Sequence, residues 1–237
     1  MVGATLGLGM ACGHLGYDPL GPGGDVGASD ALADPCSRPE VIICDDFEAG
    51  VPAAGWMIDS EASTELGVVP GGARGSAFAL QVSIPGGGNT ARLIVSPTPI
   101  SVGRFYLRAW LRIPAGPPLT SWAVLMEVDR AALSASEKVS LDLTPADRFQ
   151  VWAPSAQVMT IDGVVTRDVW RCVELDVTFG GDGDVAQARV DGVPILDATG
   201  AIRVSFDRIM MGVLADTDPL TVFFDDVLIA TTPLGCS

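Results

Sequence analysis

The longest alternating run of the chain covers residues 103–113, where Phe105, Leu107, Ala109, Leu111 and Ile113 fall on one side and Tyr106, Arg108, Trp110 and Arg112 on the other. A period of two with one apolar side predicts a strand that packs one face on a core and turns the other to solvent or ligand. The same division predicts strands at 148–153, where Phe149, Val151 and Ala153 oppose Gln150 and Trp152, and at 139–143, where Val139, Leu141 and Leu143 oppose Ser140 and Asp142. In 121–128, Trp122, Val124, Met126 and Val128 read as the apolar side, against Glu127 and Asp129. Further strands are expected at 77–84, 91–96, 170–179, 186–190, 208–214 and 221–229, divided by turn clusters such as Pro85-Gly86-Gly87-Gly88-Asn89 and Gly180-Gly181-Asp182-Gly183-Asp184. Only 129–137 reads as a short helix, and no internal repeat is visible. If the four alternating strands are neighbours in one sheet, Arg108, Trp110, Glu127, Asp142, Gln150 and Trp152 share one surface.

The two ends of this pattern match. Cys44-Asp45-Asp46-Phe47-Glu48 near the start and Phe223-Phe224-Asp225-Asp226-Val227-Leu228-Ile229 near the finish both set adjacent acids beside strand-forming residues. Such segments suit terminal strands that lie side by side and close one β-sandwich, with carboxylates gathered where they meet.

The chain has 237 residues, 48% of them hydrophobic, enough for a sizeable core, and a single all-β domain over residues 36–237 is expected. Acidic residues outnumber basic ones 29 to 14, and Lys138 is the only lysine. No basic stripe exists to neutralise phosphates, so nucleic acid is not an expected partner. No run of about 18 or more apolar residues occurs, so no membrane-spanning helix is expected.

Residues 1–12 are small and apolar, lack an early basic residue, and lead through Cys12 into a Gly-, Asp- and Pro-rich stretch centred on Gly21-Pro22-Gly23-Gly24. This reads as the apolar part of an export signal whose basic start is missing, as a misplaced start codon would produce. Ala11 before Cys12 resembles the acylation site of bacterial lipoproteins, although Gly9 stands where that motif carries a branched apolar residue. The alternative is an ordinary apolar leader with an incidental cysteine. On the first reading, residues 1–35 are leader and flexible linker, and a lipid on Cys12 is the only membrane link of a monomeric surface or extracellular protein.

With Cys12 lipidated, Cys36, Cys44, Cys172 and Cys236 remain, and four cysteines allow three pairings. The preferred one joins Cys36 to Cys44, close in sequence, and Cys172 to Cys236, tying the last residues to a central strand. None of the four forms a C-x-x-C pair, and the one histidine, His14, lies in the leader. Zinc chemistry and histidine-based nucleophilic catalysis are therefore not expected in the domain.

Several segments together resemble the concanavalin A-like lectin/glucanase superfamily. They are Cys44-Asp45-Asp46-Phe47-Glu48 followed by Gly55-Trp56, the Arg104-Phe105-Tyr106-Leu107-Arg108-Ala109-Trp110-Leu111-Arg112 strand, Trp170-Arg171-Cys172-Val173-Glu174-Leu175, the Ala188-Arg189-Val190-Asp191-Gly192-Val193 hairpin, and Phe224-Asp225-Asp226-Val227-Leu228-Ile229-Ala230 with Gly235-Cys236. The likeness runs from about Cys36 to Cys236. It implies a two-sheet antiparallel jelly-roll β-sandwich, similar to laminin-G-like modules, whose concave face usually takes a sugar when it takes anything. It also supports a structural calcium ion held by Asp46 or Glu48 with Asp225 or Asp226, since sandwiches of this kind often hold calcium there and hard cations want six to eight oxygens. The alternative is that these acids cap strands and face water.

The glucanases of that fold carry Glu-x-Asp-x-x-Glu on one strand, with nucleophile and acid/base about 5.5 Å apart. Here Glu127-Val128-Asp129 is followed by Arg130, Ala131 and Ala132, so the third acid is missing. The lyases of the fold combine an Arg-rich strand with His and Tyr, whereas this domain has no histidine and one tyrosine, Tyr106. Three readings follow. The first is a non-catalytic carbohydrate-binding module whose Trp110 and Trp152 stack on sugar while Arg108, Glu127, Asp142 and Gln150 bond hydroxyls of a polysaccharide or oligosaccharide. The second is a divergent glycoside hydrolase or polysaccharide lyase using Glu127 with Asp129 or Asp142. The third is a structural or adhesive module whose concave face meets protein.

Overall fold

Strands form where apolar and polar residues alternate and stop at Gly-, Pro- and Asp-rich turns. The computed structural model describes residues 35–96, 103–129, 138–153, 156–159, 165–179, 185–199, 206–215, 217–233 and 235–236, all within one unit, Asp34–Ser237. The first strands are β1 (Val41–Asp45), β2 (Met57–Ser60), β3 (Glu65–Pro70), β4 (Phe78–Ile84) and β5 (Thr90–Val95). Next come β6 (Gly103–Arg112), β7 (Ala123–Asp129), β8 (Val139–Thr144), β9 (Arg148–Ala153) and β10 (Ala156–Met159). β11 (Arg171–Phe179), β12 (Val185–Val190), β13 (Val193–Thr199), β14 (Arg208–Ala215) and β15 (Leu220–Ala230) complete the order. The leader with Cys12, and the helix expected at 129–137 apart from Asp129, lie outside the described residues.

The strands make two antiparallel sheets of a jelly-roll sandwich. One runs β13-β12-β11-β6-β15-β4-β3, and the other β10-β9-β8-β7-β14-β5-β2. Their inner faces meet over a core that includes Phe47, Phe105, Phe149 and Phe224, all 2% exposed or less. Truncating any of these rings to Ala would cost roughly 3–5 kcal/mol. The β12–β13 hairpin turns on Asp191-Gly192, with φ of 51° and 79°, the left-handed pair that a two-residue loop needs to match strand twist.

The chain ends meet as adjacent strands. β15 pairs with β4 through Leu220–Phe224 and with β1 through Val227–Ala230. Between the two partners its register against β6 shifts between Asp225 and Leu228, and Asp226 takes a φ of 46°. This bulge, where β4 gives way to β1, gathers the acids of both termini. Disulfides join Cys36 to Cys44 and Cys172 to Cys236, with Cα separations of 5.3 and 5.7 Å.

Candidate functional site

The outward face of the second sheet carries the candidate site. On β9, Phe149, Val151 and Ala153 enter the core, so Arg148, Gln150 and Trp152 point outward. On β8, Val139, Leu141 and Leu143 enter the core and leave Ser140, Asp142 and Thr144 outward. β7 does not keep one period. Its pairing with β8 shifts between Val124 and Met126, and Ala123, Leu125, Met126 and Val128 all join the core cluster. A bulge of this kind exchanges the two faces of a strand across the extra residue. Trp122, read from the sequence as core-facing beside Met126, is consequently 42% exposed and stands on the same side as Trp152. β14 bulges opposite, between Met211 and Leu214. There Gly212 holds a φ of 147°, and any Cβ would strike the Ala91 carbonyl.

Trp122 and Trp152 wall an open cavity of about 440 Å³ whose lining includes Asp142, Gln150, Lys138 and Arg148. The rim is fixed from outside. Asp218 accepts hydrogen bonds from the backbone N–H groups of Thr120 (2.6 Å) and Ser121 (2.8 Å), anchoring the segment that presents Trp122. Arg167 forks onto Asp147 at 2.7 and 2.9 Å in the β8–β9 turn, whose Pro145 also lines the cavity. Bidentate pairs of this geometry hold a loop in one conformation.

Inside, Lys138 Nζ donates to Glu127 Oε2 at 2.6 Å. Asp142 is 6% exposed, and its Oδ1 lies near the buried Ser140 Oγ but outside hydrogen-bond geometry, so neither atom has a well-aligned protein partner. Burial pushes the Asp142 carboxyl up to about 6, and the adjacent Ser140 hydroxyl and, less, the Lys138 ammonium offset only part of that rise, to which the Glu127 charge adds. Among the described residues the other cations of the face are engaged: Arg208 forks onto Asp129, Arg92 bonds Asp59 at 2.8 Å, and Arg148 Nε donates to the Pro145 carbonyl.

Arg108 and Trp110 do not belong to this surface. β6 lies between β11 and β15 in the first sheet, so its outward residues face away from the cavity on the opposite side of the sandwich. Alternation gives the faces of a strand but not its sheet, and residues 113–122 carry the chain across. There Arg108 is buried, and its Nη1 donates to the Gly235 carbonyl at 2.7 Å beneath the C-terminal segment tied down by Cys236. Trp110 is covered by the Arg74 guanidinium, 5.6 Å from the ring. The rest of that face is a ladder of Arg104, Asp176, Arg189 and Glu174, with Arg112 set against Trp170 and Phe223.

Of the four terminal acids, two converge. Glu48 Oε1 accepts from Ser76 Oγ and from the backbone N–H groups of Ala77 (2.9 Å) and Phe78 (3.2 Å). Asp225 Oδ2 accepts from the Ala73 N–H at 2.7 Å. A Cβ at Gly72 would strike the Phe78 carbonyl oxygen, Ser76 Oγ and Asp225 Oδ2 together, so the missing side chain leaves an oxygen-walled cradle. Burial pushes the Asp225 carboxyl up to about 6 despite its two backbone donors, and raises Asp226 as well, against the pull of Arg108 and Arg74. Asp46 Oδ1 accepts from the Glu48 N–H at 3.1 Å. Among the described residues no three acidic, histidine or cysteine side chains come together as a metal cluster. The oxygens that meet at Gly72 are one carboxylate, a hydroxyl and a carbonyl, with the Glu48 carboxylate bonded to that hydroxyl, a donor set that fits a hard cation better than zinc.

No family profile matches the chain, and no curated protein sequence does. Solved structures do share its fold. Cellulose induced protein Cip1 superposes with a TM-score of 0.63 at 19% identity, over 82% of this chain and 100% of that one. Alginate lyase vAL-1 from Chlorella virus gives 0.56 at 10%, over 81% and 100%. A sialidase gives 0.58 at 14%, over 81% of this chain but 19% of its own. At such identities the likeness establishes the jelly-roll sandwich, a fold that recurs in carbohydrate-related proteins, and not an activity.

Proposed function

We propose that the protein is a non-catalytic carbohydrate-binding module that holds an oligosaccharide or polysaccharide segment between Trp122 and Trp152 on the second sheet. One observation carries this reading: two tryptophans wall an open cavity whose floor offers Asp142 and Gln150. Indole faces suit the apolar faces of sugar rings, and carboxylate and amide groups suit hydroxyls. Neighbours named for cellulose induction and alginate cleavage support a carbohydrate setting. The test is a glycan array with the purified chain, followed by Trp152→Ala. Trp152 is half-buried on the outward face, so the variant should lose glycan retention while its melting temperature stays nearly unchanged. Retention that survives the substitution would remove Trp152 from the site.

A second reading is favoured by Asp142, which burial holds at about 6, the range of a general acid. On that reading Asp142 protonates a leaving group and the protein is a divergent glycoside hydrolase or lyase. Reducing ends or unsaturated products from any bound glycan, lost in Asp142→Asn, would establish it. Against it, Glu127, the carboxylate near Asp142, is engaged by Lys138.

We also propose that the Gly72 cradle holds a structural calcium ion through Glu48, Asp225 and the Phe78 carbonyl, with Asp46 and Asp226 adding negative charge beside it. Bound there, the ion would pin the β1–β4–β15 junction. Two disulfides fit an oxidising compartment, and a lipid on Cys12 would tether a monomeric module outside the cell.

A further inference from the structure

We infer that the cavity selects uncharged, hydroxyl-bearing oligosaccharides and rejects polyuronates, a narrowing that rests on the glycan-binding reading above. The selector is Asp142. It lines the cavity, is 94% buried by its 6% exposure, and keeps one carboxylate oxygen without a protein donor. A buried acceptor left unpaired is held at a free-energy cost that a donor from the ligand removes. A sugar hydroxyl supplies such a donor. It can give its proton to Asp142 and accept from the Gln150 amide, which lies opposite Asp142 in the β8–β9 register. A uronate carboxylate can only accept, and its charge opposes that of ionised Asp142.

Among the described residues, the cations of this face that would neutralise a polyuronate are otherwise engaged. Lys138 is 2.6 Å from Glu127, Arg208 forks onto Asp129, and Arg92 bonds Asp59. Arg148 turns its Nε to the Pro145 carbonyl. Freeing Lys138, Arg208 or Arg92 for a ligand carboxylate would strand a carboxylate of the protein. The alignment of aromatic walls with a buried acceptor thus fits a neutral ring, and the chain's net charge of −15 adds repulsion of a polyanion at long range.

Calorimetric titration of the intact, oxidised chain tests this. The probes are β-1,4-linked hexasaccharides of glucose, xylose and mannose, with hexamannuronate and hexaguluronate. Salt near 0.3 M shortens the screening length to well under 10 Å, removing the net-charge effect and leaving the contribution of the cavity. At least one neutral hexasaccharide should bind, with the uronates at least ten-fold weaker, and Trp152→Ala should abolish the binding. Asp142→Asn, which keeps the shape without the charge, should weaken the neutral ligand several-fold and narrow the gap. Asp142→Ser repeats that measurement if the amide variant misfolds. Uronates that bind as tightly as neutral sugars, and are lost in Trp152→Ala, would overturn the selectivity and leave the glycan reading standing. A gap unchanged in both Asp142 variants would also overturn it. Failure of every hexasaccharide to bind would overturn both.

Discussion

Replacing Asp142 by Asn should stabilise the protein at neutral pH and leave it unchanged in acid. In the unfolded chain this carboxyl has its ordinary value of 3.8, whereas burial in the fold raises it to about 6. Between those values the folded chain holds a proton that the unfolded chain has released. The favourable contribution is complete below pH 3.8 and is lost as pH rises through about 6. A rise of about 2 units at 1.36 kcal/mol each amounts to about 3 kcal/mol at pH 7.5. Asn has the same shape and does not titrate, so the difference between variant and parent isolates this one group. Other carboxyls titrate alike in both.

Urea denaturation followed by tryptophan fluorescence, in EDTA and with both disulfides intact, gives the comparison at pH 4, 5, 6 and 7.5. The stability gap between Asp142→Asn and parent should be near zero at the acid end and open across the range to between 1 and 3 kcal/mol. A gap independent of pH, or a variant less stable than the parent throughout, would refute the burial of an unsatisfied carboxylate. A saturating neutral glycan should close part of the gap, because its hydroxyls supply the missing donors only to the ionised parent.

The remaining expectations concern the supports of the site. Calcium added after EDTA should raise the melting temperature at pH 7.5 and much less at pH 5, since Asp225, with a value near 6, must be ionised to hold a cation; Gly72→Ala, which fills the cradle, should abolish the rise. Asp218→Ala should weaken glycan binding by more than it lowers stability, because it frees the segment presenting Trp122 while the core is untouched; equal binding would show that this anchor is idle. Replacing Cys172 and Cys236 together by Ser should cost about 4 kcal/mol on the chain-entropy account, against about 2.5 kcal/mol for Cys36 and Cys44, as read from paired denaturation curves.

The sequence carried what depends on local period and lost what depends on partners. Alternation placed Gln150, Trp152 and Asp142 outward because β8 and β9 keep an unbroken register with each other. It also read both termini as adjacent strands, since the paired acids mark the place where β15 changes partner. The exposed edge strand β2 escaped it, as all four of its residues face solvent and present no apolar side to detect. So did the bulge in β7. One extra residue between Val124 and Met126 reverses the faces before it, and nothing in the local composition announces that reversal.

That single bulge decides what the site can be. With an unbroken β7, Trp122 would share a face with Met126 and enter the core, leaving Trp152 as an isolated ring on a flat sheet. Stacking on one side of a sugar offers area but little orientation, whereas two walls with Asp142 and Gln150 between them fix both the plane of a ring and the direction of its hydroxyls. The Arg108–Trp110 pair, which the sequence offered as the natural companion of Trp152, lies instead on the opposite side of the sandwich, where Arg108 Nη1 donates to the Gly235 carbonyl and the Arg74 guanidinium stands over Trp110. The proposed recognition therefore falls to the second sheet, where the buried Asp142 Oδ1 lacks a well-aligned protein donor.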